Sequence, residues 1–280
     1  MKRLMFCLAL GALLMAACKQ DAKDFKTHSD SGSRCYLQVF DKPFIEGVDT
    51  IGMKITYSLE FPDEGMVSPA ARRALQYLYF GDSNITSMTD AIEKRMKKDG
   101  VDDWFFYAGE DAKILPVESI DENRPYSNLD IKGSCQQDSL LVTFTVMSEE
   151  FPFGAAHGLY SVDYLTLDKL TGNAVQLSDL VVDTNLLCEA IAHAIQDLEV
   201  NKDTRECLFD EFKEADRMPM PRNFVIDSSR DMIIVVYGLY EITPYCCGIQ
   251  SIVLPIFWLS KHVPLTPYAK KLFGEGSYIE

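Results

Sequence analysis

The chain is 280 residues long, 47% apolar and 11% aromatic, with a formal charge of −15. That length suits one large domain or two small ones, and the apolar share is enough for a packed core. The negative field argues against nucleic acid and anionic headgroups as partners and favours cationic ones, while also serving plain solubility.

Met1-Lys2-Arg3 is a short positive start, followed by an apolar stretch from Leu4 to Ala17. The stretch falls short of the roughly 20 apolar residues that a spanning helix needs. With Ala16 and Ala17 before Cys18, residues 1–17 are expected to be a cleavable secretory signal. Met15-Ala16-Ala17-Cys18 resembles the bacterial lipobox, with Met where Leu is more usual. Cys18 is therefore the expected lipidation site, and the expected location is the cell envelope, anchored in a membrane. Lys19 directly after it fits outer-membrane sorting. The plainer alternative is an ordinary signal with an incidental cysteine. No later apolar run is long enough for a spanning helix.

Residues 18–33 are polar apart from Phe25 and read as a flexible tether. Order is expected from Arg34. Tyr36–Phe40 and Ile51–Phe61 carry β-branched and aromatic residues at roughly alternate positions, as half-buried strands do. Ala70–Leu78 reads as a helix. A second helix is expected after Ser87, with Met88, Ile92 and Met96 on one face and Gly100 at its end. Trp104–Tyr107 reads as core.

The clearest strand has Leu140, Val142, Phe144 and Val146 on one face and Leu141, Thr143, Thr145 and Met147 on the other. Tyr160, Val162 and Tyr164 alternate similarly, before a turn at Leu170-Thr171-Gly172-Asn173 where Gly172 supplies positive φ. Leu187, Ile191, Ile195 and Leu198 mark one face of a helix. Phe224–Ile226, Met232–Tyr237 and Ile249–Phe257 read as strands, Pro255 marking an edge or a strand end, and Thr266–Phe273 as a short closing helix. Without regular βαβ alternation, this order predicts an α+β fold: a largely antiparallel sheet, a few packing helices and two closely associated subdomains. Their expected limits are 34–153 and 154–280.

Beyond Cys18 stand Cys35, Cys135, Cys188, Cys207, Cys246 and Cys247. An oxidising compartment permits disulfides, and six cysteines allow fifteen connectivities. Sequence does not choose among them. Cys188 and Cys207, flanking a predicted helix, are a candidate pair, whereas a vicinal Cys246–Cys247 bond would strain its peptide. No Cys-x-x-Cys pair, P-loop or Gly-x-Ser-x-Gly elbow occurs, so no metal and no cofactor is expected.

Gly154-Ala155-Ala156-His157-Gly158, an alternating strand, Leu167-Asp168-Lys169-Leu170-Thr171-Gly172 and Leu177-Ser178-Asp179-Leu180 follow one another in order. Tyr240-Glu241-Ile242-Thr243-Pro244-Tyr245 comes later, then Gly248 and a strand through Pro255. Together these resemble the domain-of-unknown-function family that forms the extracellular half of RsiV-type anti-sigma factors. Ala155 stands in place of a glycine of that pattern, and Cys246-Cys247 in place of small residues. The resemblance implies a sensing domain that binds lysozyme, related to regions accompanying peptidoglycan deacetylases whose catalysis lies elsewhere. The chain shows no sigma-binding segment and no spanning helix, so an anti-sigma layout is not expected.

His157, set among small residues, is a candidate base or ligand, with the plainer role of tying a tight turn to its neighbours. Tyr237, Tyr240 and Tyr245 with Glu241 form a candidate aromatic binding loop, since tyrosines offer large amphipathic contact area to sugars and proteins. His193 with Glu189 reads as an exposed pair. The leading expectation is a non-catalytic envelope protein that binds lysozyme, another cationic protein or cell-wall glycan. The alternative is a peptidoglycan or glycan hydrolase using carboxylates from Glu149, Glu150 and Glu241.

Overall fold

The computed structural model describes residues 25–39, 50–84, 113–116, 126–151, 155–227, 229 and 231–274. The signal segment, Cys18, the helix expected after Ser87 and the Trp104–Tyr107 cluster lie outside these. No helix among the described residues is long and apolar enough to cross a membrane.

Strand β1 (Thr27–Val39) pairs antiparallel with β2 (Thr50–Pro62) and β3 (Lys113–Pro116). Strands β4 (Tyr126–Gln137), β5 (Leu141–Phe151) and β6 (Leu159–Asp168) continue the sheet in the order β3-β1-β2-β4-β5-β6. Among the described residues, only β2 and β4 pair in parallel. A second, antiparallel sheet has the order β7-β8-β9, from β7 (Asn223–Ile226), β8 (Met232–Tyr237) and β9 (Gln250–Pro255). The fold is α+β, built around these two sheets.

Alternation explains the first core. Val142, Phe144 and Val146 of β5 are buried and meet Leu129 and Ile131 of β4 with Ile55, Tyr57 and Leu59 of β2. Helix α1 (Pro69–Phe80) covers this face with Ala71, Leu75, Tyr79 and Phe80. It starts where Ser68 Oγ accepts the Ala71 N–H, has Pro69 in its first turn, and ends at Gly81 in the left-handed conformation. The opposite sheet face is polar: Lys54, Ser58, Lys132, Ser134, Gln136 and Glu149 are all exposed.

The second core is helical. A one-turn helix α2 (Leu177–Leu180) leads into α3 (Thr184–Asp197), whose N-cap is Asp183. Leu187, Ile191 and Ile195 fall on one face of α3 and are fully buried against Ile233, Val235, Ile252 and Leu254. Each such side chain contributes about 1.5–3 kcal/mol by leaving water. Two short helices follow, α4 (Lys202–Cys207) and α5 (Asp210–Lys213), then α6 (Ile256–His262) and α7 (Pro267–Phe273). Pro255 ends its strand as expected, but the run to Phe257 continues as helix α6 rather than as strand.

The Leu-Asp-Lys-Leu-Thr-Gly segment is a fastening. Gly172 has φ 67°, and its N–H donates to the Asp168 carbonyl at 2.7 Å. The Asp168 carboxylate accepts from the Thr171 N–H at 2.8 Å and from the Tyr268 hydroxyl of α7 at 2.9 Å. Burial, then the Asp168 carboxylate, pushes the Tyr268 phenol above its ordinary range.

Three expectations are corrected. The tether does not reach residue 33: Thr27 to Ser33 are already strand, in register with Thr56 to Pro62, and Phe25 is buried with its ring 6.3 Å from Phe144. The subdomain limit at 153/154 cuts the first sheet, because β6 pairs with β5 along its whole length. The candidate Cys188–Cys207 disulfide does not form. Cys207 at the end of α4 bonds to Cys247, while Cys188 lies on the core face of α3 beside Met220.

One side chain joins the two sheets. The Asn223 amide donates to the Val162 carbonyl at 2.5 Å, and its oxygen accepts the Tyr164 N–H at 2.9 Å. Replacing Asn223 with Ala strands both β6 groups, so we expect a loss of about 1–3 kcal/mol. Ile191→Ala should cost about 2–5 kcal/mol through the cavity it leaves. Urea denaturation of the full chain measures both.

Candidate functional site

The His157 and Tyr240–Tyr245 segments, far apart in sequence, meet at the outer edge of β6. Tyr245 opens a 3₁₀ turn (Tyr245–Cys247), and its hydroxyl donates to the Gly158 carbonyl at 2.7 Å. The His157 ring stacks on Tyr245 with centroids 3.9 Å apart, and its Nδ1–H donates to the same carbonyl at 3.1 Å. Tyr240 lies 5.8 Å from Tyr245, and Tyr160 approaches Tyr245 edge-on at 6.3 Å. The result is an aromatic cluster at the surface: Tyr240 is 53% and Tyr160 42% exposed, and His157 is exposed as well.

The loop that carries Tyr240 and Tyr245 is tightly determined. Glu241 Oε2 accepts the Gly238 N–H at 2.8 Å, closing a turn over which Tyr240 is held at φ 63°. Non-glycine residues seldom occupy that region, so Tyr240 carries local strain. The Cys207–Cys247 bond ties the 3₁₀ turn to α4. Gly248, at φ 72°, leaves room for the Tyr160 hydroxyl, which a β-carbon there would meet at 2.9 Å.

Of the residues singled out from sequence, His157, Tyr240 and Tyr245 come together, with Glu241 in the same turn. Tyr237 does not join them. It is 1% exposed, its hydroxyl donates to the Pro219 carbonyl at 2.7 Å, and burial pushes its phenol well above the ordinary range. Tyr160, expected only as a strand residue, completes the cluster. Its alternation with Val162 and Tyr164 marked the right face without revealing what packs beside it.

The Glu149 and Glu150 carboxylates do not converge. Glu149 and Glu150 are neighbours on a regular strand, so their side chains leave on opposite faces of the sheet. Glu149 shares a face with Tyr160, its partner across the ladder. His193 stands on α3 with its ring 6.5 Å from His262, well away from the cluster in sequence and fold. Among the described residues, no group of three or more His, Cys, Asp or Glu side chains could hold a metal ion. The cluster offers flat π faces, a phenol edge and nearby carboxylates, which is chemistry for holding a surface.

Two solved structures are similar to nearly the whole chain. A member of the DUF3298 family from Bacteroides fragilis, 16% identical, covers 91% of this chain and 98% of its own, with a TM-score of 0.58. A DUF3298 family protein from Pseudomonas aeruginosa, 17% identical, covers 89% and 97%, with a TM-score of 0.51. At these identities the likeness is one of fold. No protein-family model and no curated protein matches the chain.

The thiols differ in environment. Burial, and next the Glu60 carboxylate, push the Cys135 thiol up to about 11, and Cys188 is buried, whereas Cys246 is exposed. At pH 8 iodoacetamide should label Cys246 in the folded protein and spare Cys135 and Cys188, because the thiolate is the nucleophile; peptide mass spectrometry reads the pattern. Cys207→Ser opens a loop with a sequence separation of 40. It should cost roughly 3–4 kcal/mol in thermal or urea unfolding.

Proposed function

We propose that this chain is a lipid-anchored, non-catalytic binding module of the cell envelope, engaging a cationic protein partner through the aromatic cluster at the β6 edge. The observation carrying this reading is the meeting of His157, Tyr160, Tyr240 and Tyr245 at the surface, with the Tyr160 and Tyr240 rings about half in solvent and Tyr245 and His157 hydrogen-bonded to the Gly158 carbonyl. Exposed tyrosines of this kind form the anchors of many recognition surfaces, because they offer wide contact area at low entropic cost. The charge of −15 would steer a basic partner toward it. Lysozyme, strongly basic and met at bacterial surfaces, is the partner we assign first. The anchor is Cys18 behind its lipobox-like segment, and the outer membrane is its proposed site.

Two measurements test this. Full-length protein in detergent is titrated with lysozyme at low and at physiological ionic strength; association should be measurable and weaken as salt rises. No association at low salt removes lysozyme, and release of products from muropeptides would overturn the non-catalytic reading. Growth with a palmitate analogue should label the wild-type chain and leave a Cys18→Ala variant unmarked.

A further inference from the structure

The rings at the β6 edge form a row with a carboxylate at either end. Tyr240 neighbours Tyr245 at 5.8 Å, and Tyr245 neighbours Tyr160 at 6.3 Å. Glu149 stands directly across the ladder from Tyr160, on the same face and exposed. Side chains so opposed have β-carbons about 4.5–5.5 Å apart, so Glu149 and Tyr160 leave the sheet side by side. At the other end Glu241 follows Tyr240 and is fixed by the Gly238 N–H. Among the described residues, neither carboxylate has a basic side chain in ion-pair range.

A ring face is the negative part of its quadrupole, and a cation above it is attracted. Rings and carboxylates thus contribute potential of one sign along the row. A sugar could stack on the rings and donate hydroxyls to the carboxylates, but only a cation also draws on the charge of both. The backbone gives an independent indication: Tyr240 keeps a positive φ while 53% exposed, so the strain orients a ring that packs in no core.

The geometry points to a cation site: the row receives an arginine side chain presented by a protein partner. The guanidinium stacks on Tyr240 and Tyr245, and its N–H groups donate to the Glu241 or Glu149 carboxylate. Arginine suits the row better than lysine, because its planar, weakly hydrated head stacks on rings while donating in its own plane. This inference rests on the binding function proposed above and names the group recognised.

The test uses the full chain with three short synthetic peptides, identical except for a central arginine, lysine or citrulline, followed by tyrosine fluorescence or NMR shifts. Citrulline keeps the shape and loses the charge. The arginine peptide should bind most tightly, with citrulline weaker by tenfold or more. Tyr240→Ala should abolish the difference and Tyr240→Phe retain it, since the ring face and not the hydroxyl is used. Glu149→Gln should weaken arginine binding severalfold, and a thermal melt of each variant shows that it is folded. Equal binding of arginine and citrulline, unchanged binding by folded Tyr240→Ala, or a chitooligosaccharide shifting the Tyr240 and Tyr160 signals in place of the peptide overturns the inference. Lysozyme binding that survives Tyr240→Ala would sink this site while leaving the cationic-partner reading standing. Failure of both lysozyme and the arginine peptide would sink both.

Discussion

The arrangement depends on how the outer edge of β6 is closed. A strand edge left bare presents unpaired N–H and C=O groups that recruit other chains. Here the Asn223 amide takes the place of a neighbouring strand, satisfying the Val162 carbonyl and the Tyr164 N–H together. Further along the same edge, the Tyr245 phenol does the same for the Gly158 carbonyl. These contacts set the three-stranded sheet and its loop beside the six-stranded one. Edge protection also assembles the aromatic cluster: the groups that cap β6 bring Tyr245, and with it Tyr240, alongside Tyr160 and His157.

A division of labour follows. The Leu-Asp-Lys-Leu-Thr-Gly and Leu-Ser-Asp-Leu segments spend their polar groups internally. Asp168 holds its own turn and Tyr268, and Asp179 accepts the Gln176 N–H at 2.8 Å. The Tyr240–Tyr245 loop uses hydrogen bonds and a disulfide to fix its backbone and leaves its rings outside. Tyr237, at the start of the same stretch, belongs to the first group. It extends the buried alternation of Ile233 and Val235, so its ring points into the core while its neighbours beyond Gly238 leave it.

Much of the architecture was legible wherever one face of an element is apolar. The alternation of Val142, Phe144 and Val146 and the spacing of Leu187, Ile191 and Ile195 specify β5 and α3. β1 was illegible at its start because it is polar on both faces. Ser29 and Ser33 are exposed, and Gly32 on the other face serves only to admit the Tyr57 ring. The site was half legible. His157 and the Tyr240–Tyr245 loop stood out locally, whereas Tyr160 depends on packing against a residue more than eighty positions away. The Cys207–Cys247 bond is equally non-local: an even set of cysteines signals pairing, but the partner is chosen by where the 3₁₀ turn lands.

The early start of β1 and the burial of Phe25 have a geometric consequence for a chain held at Cys18. A segment from Cys18 to Phe25, at no more than about 3.6 Å per residue, reaches at most roughly 25 Å. That is less than the thickness of a bilayer with its headgroups. A body moored on so short a line would patrol only the first layer of material beside the lipid. It could swivel about its mooring, but a visitor would have to come down to it.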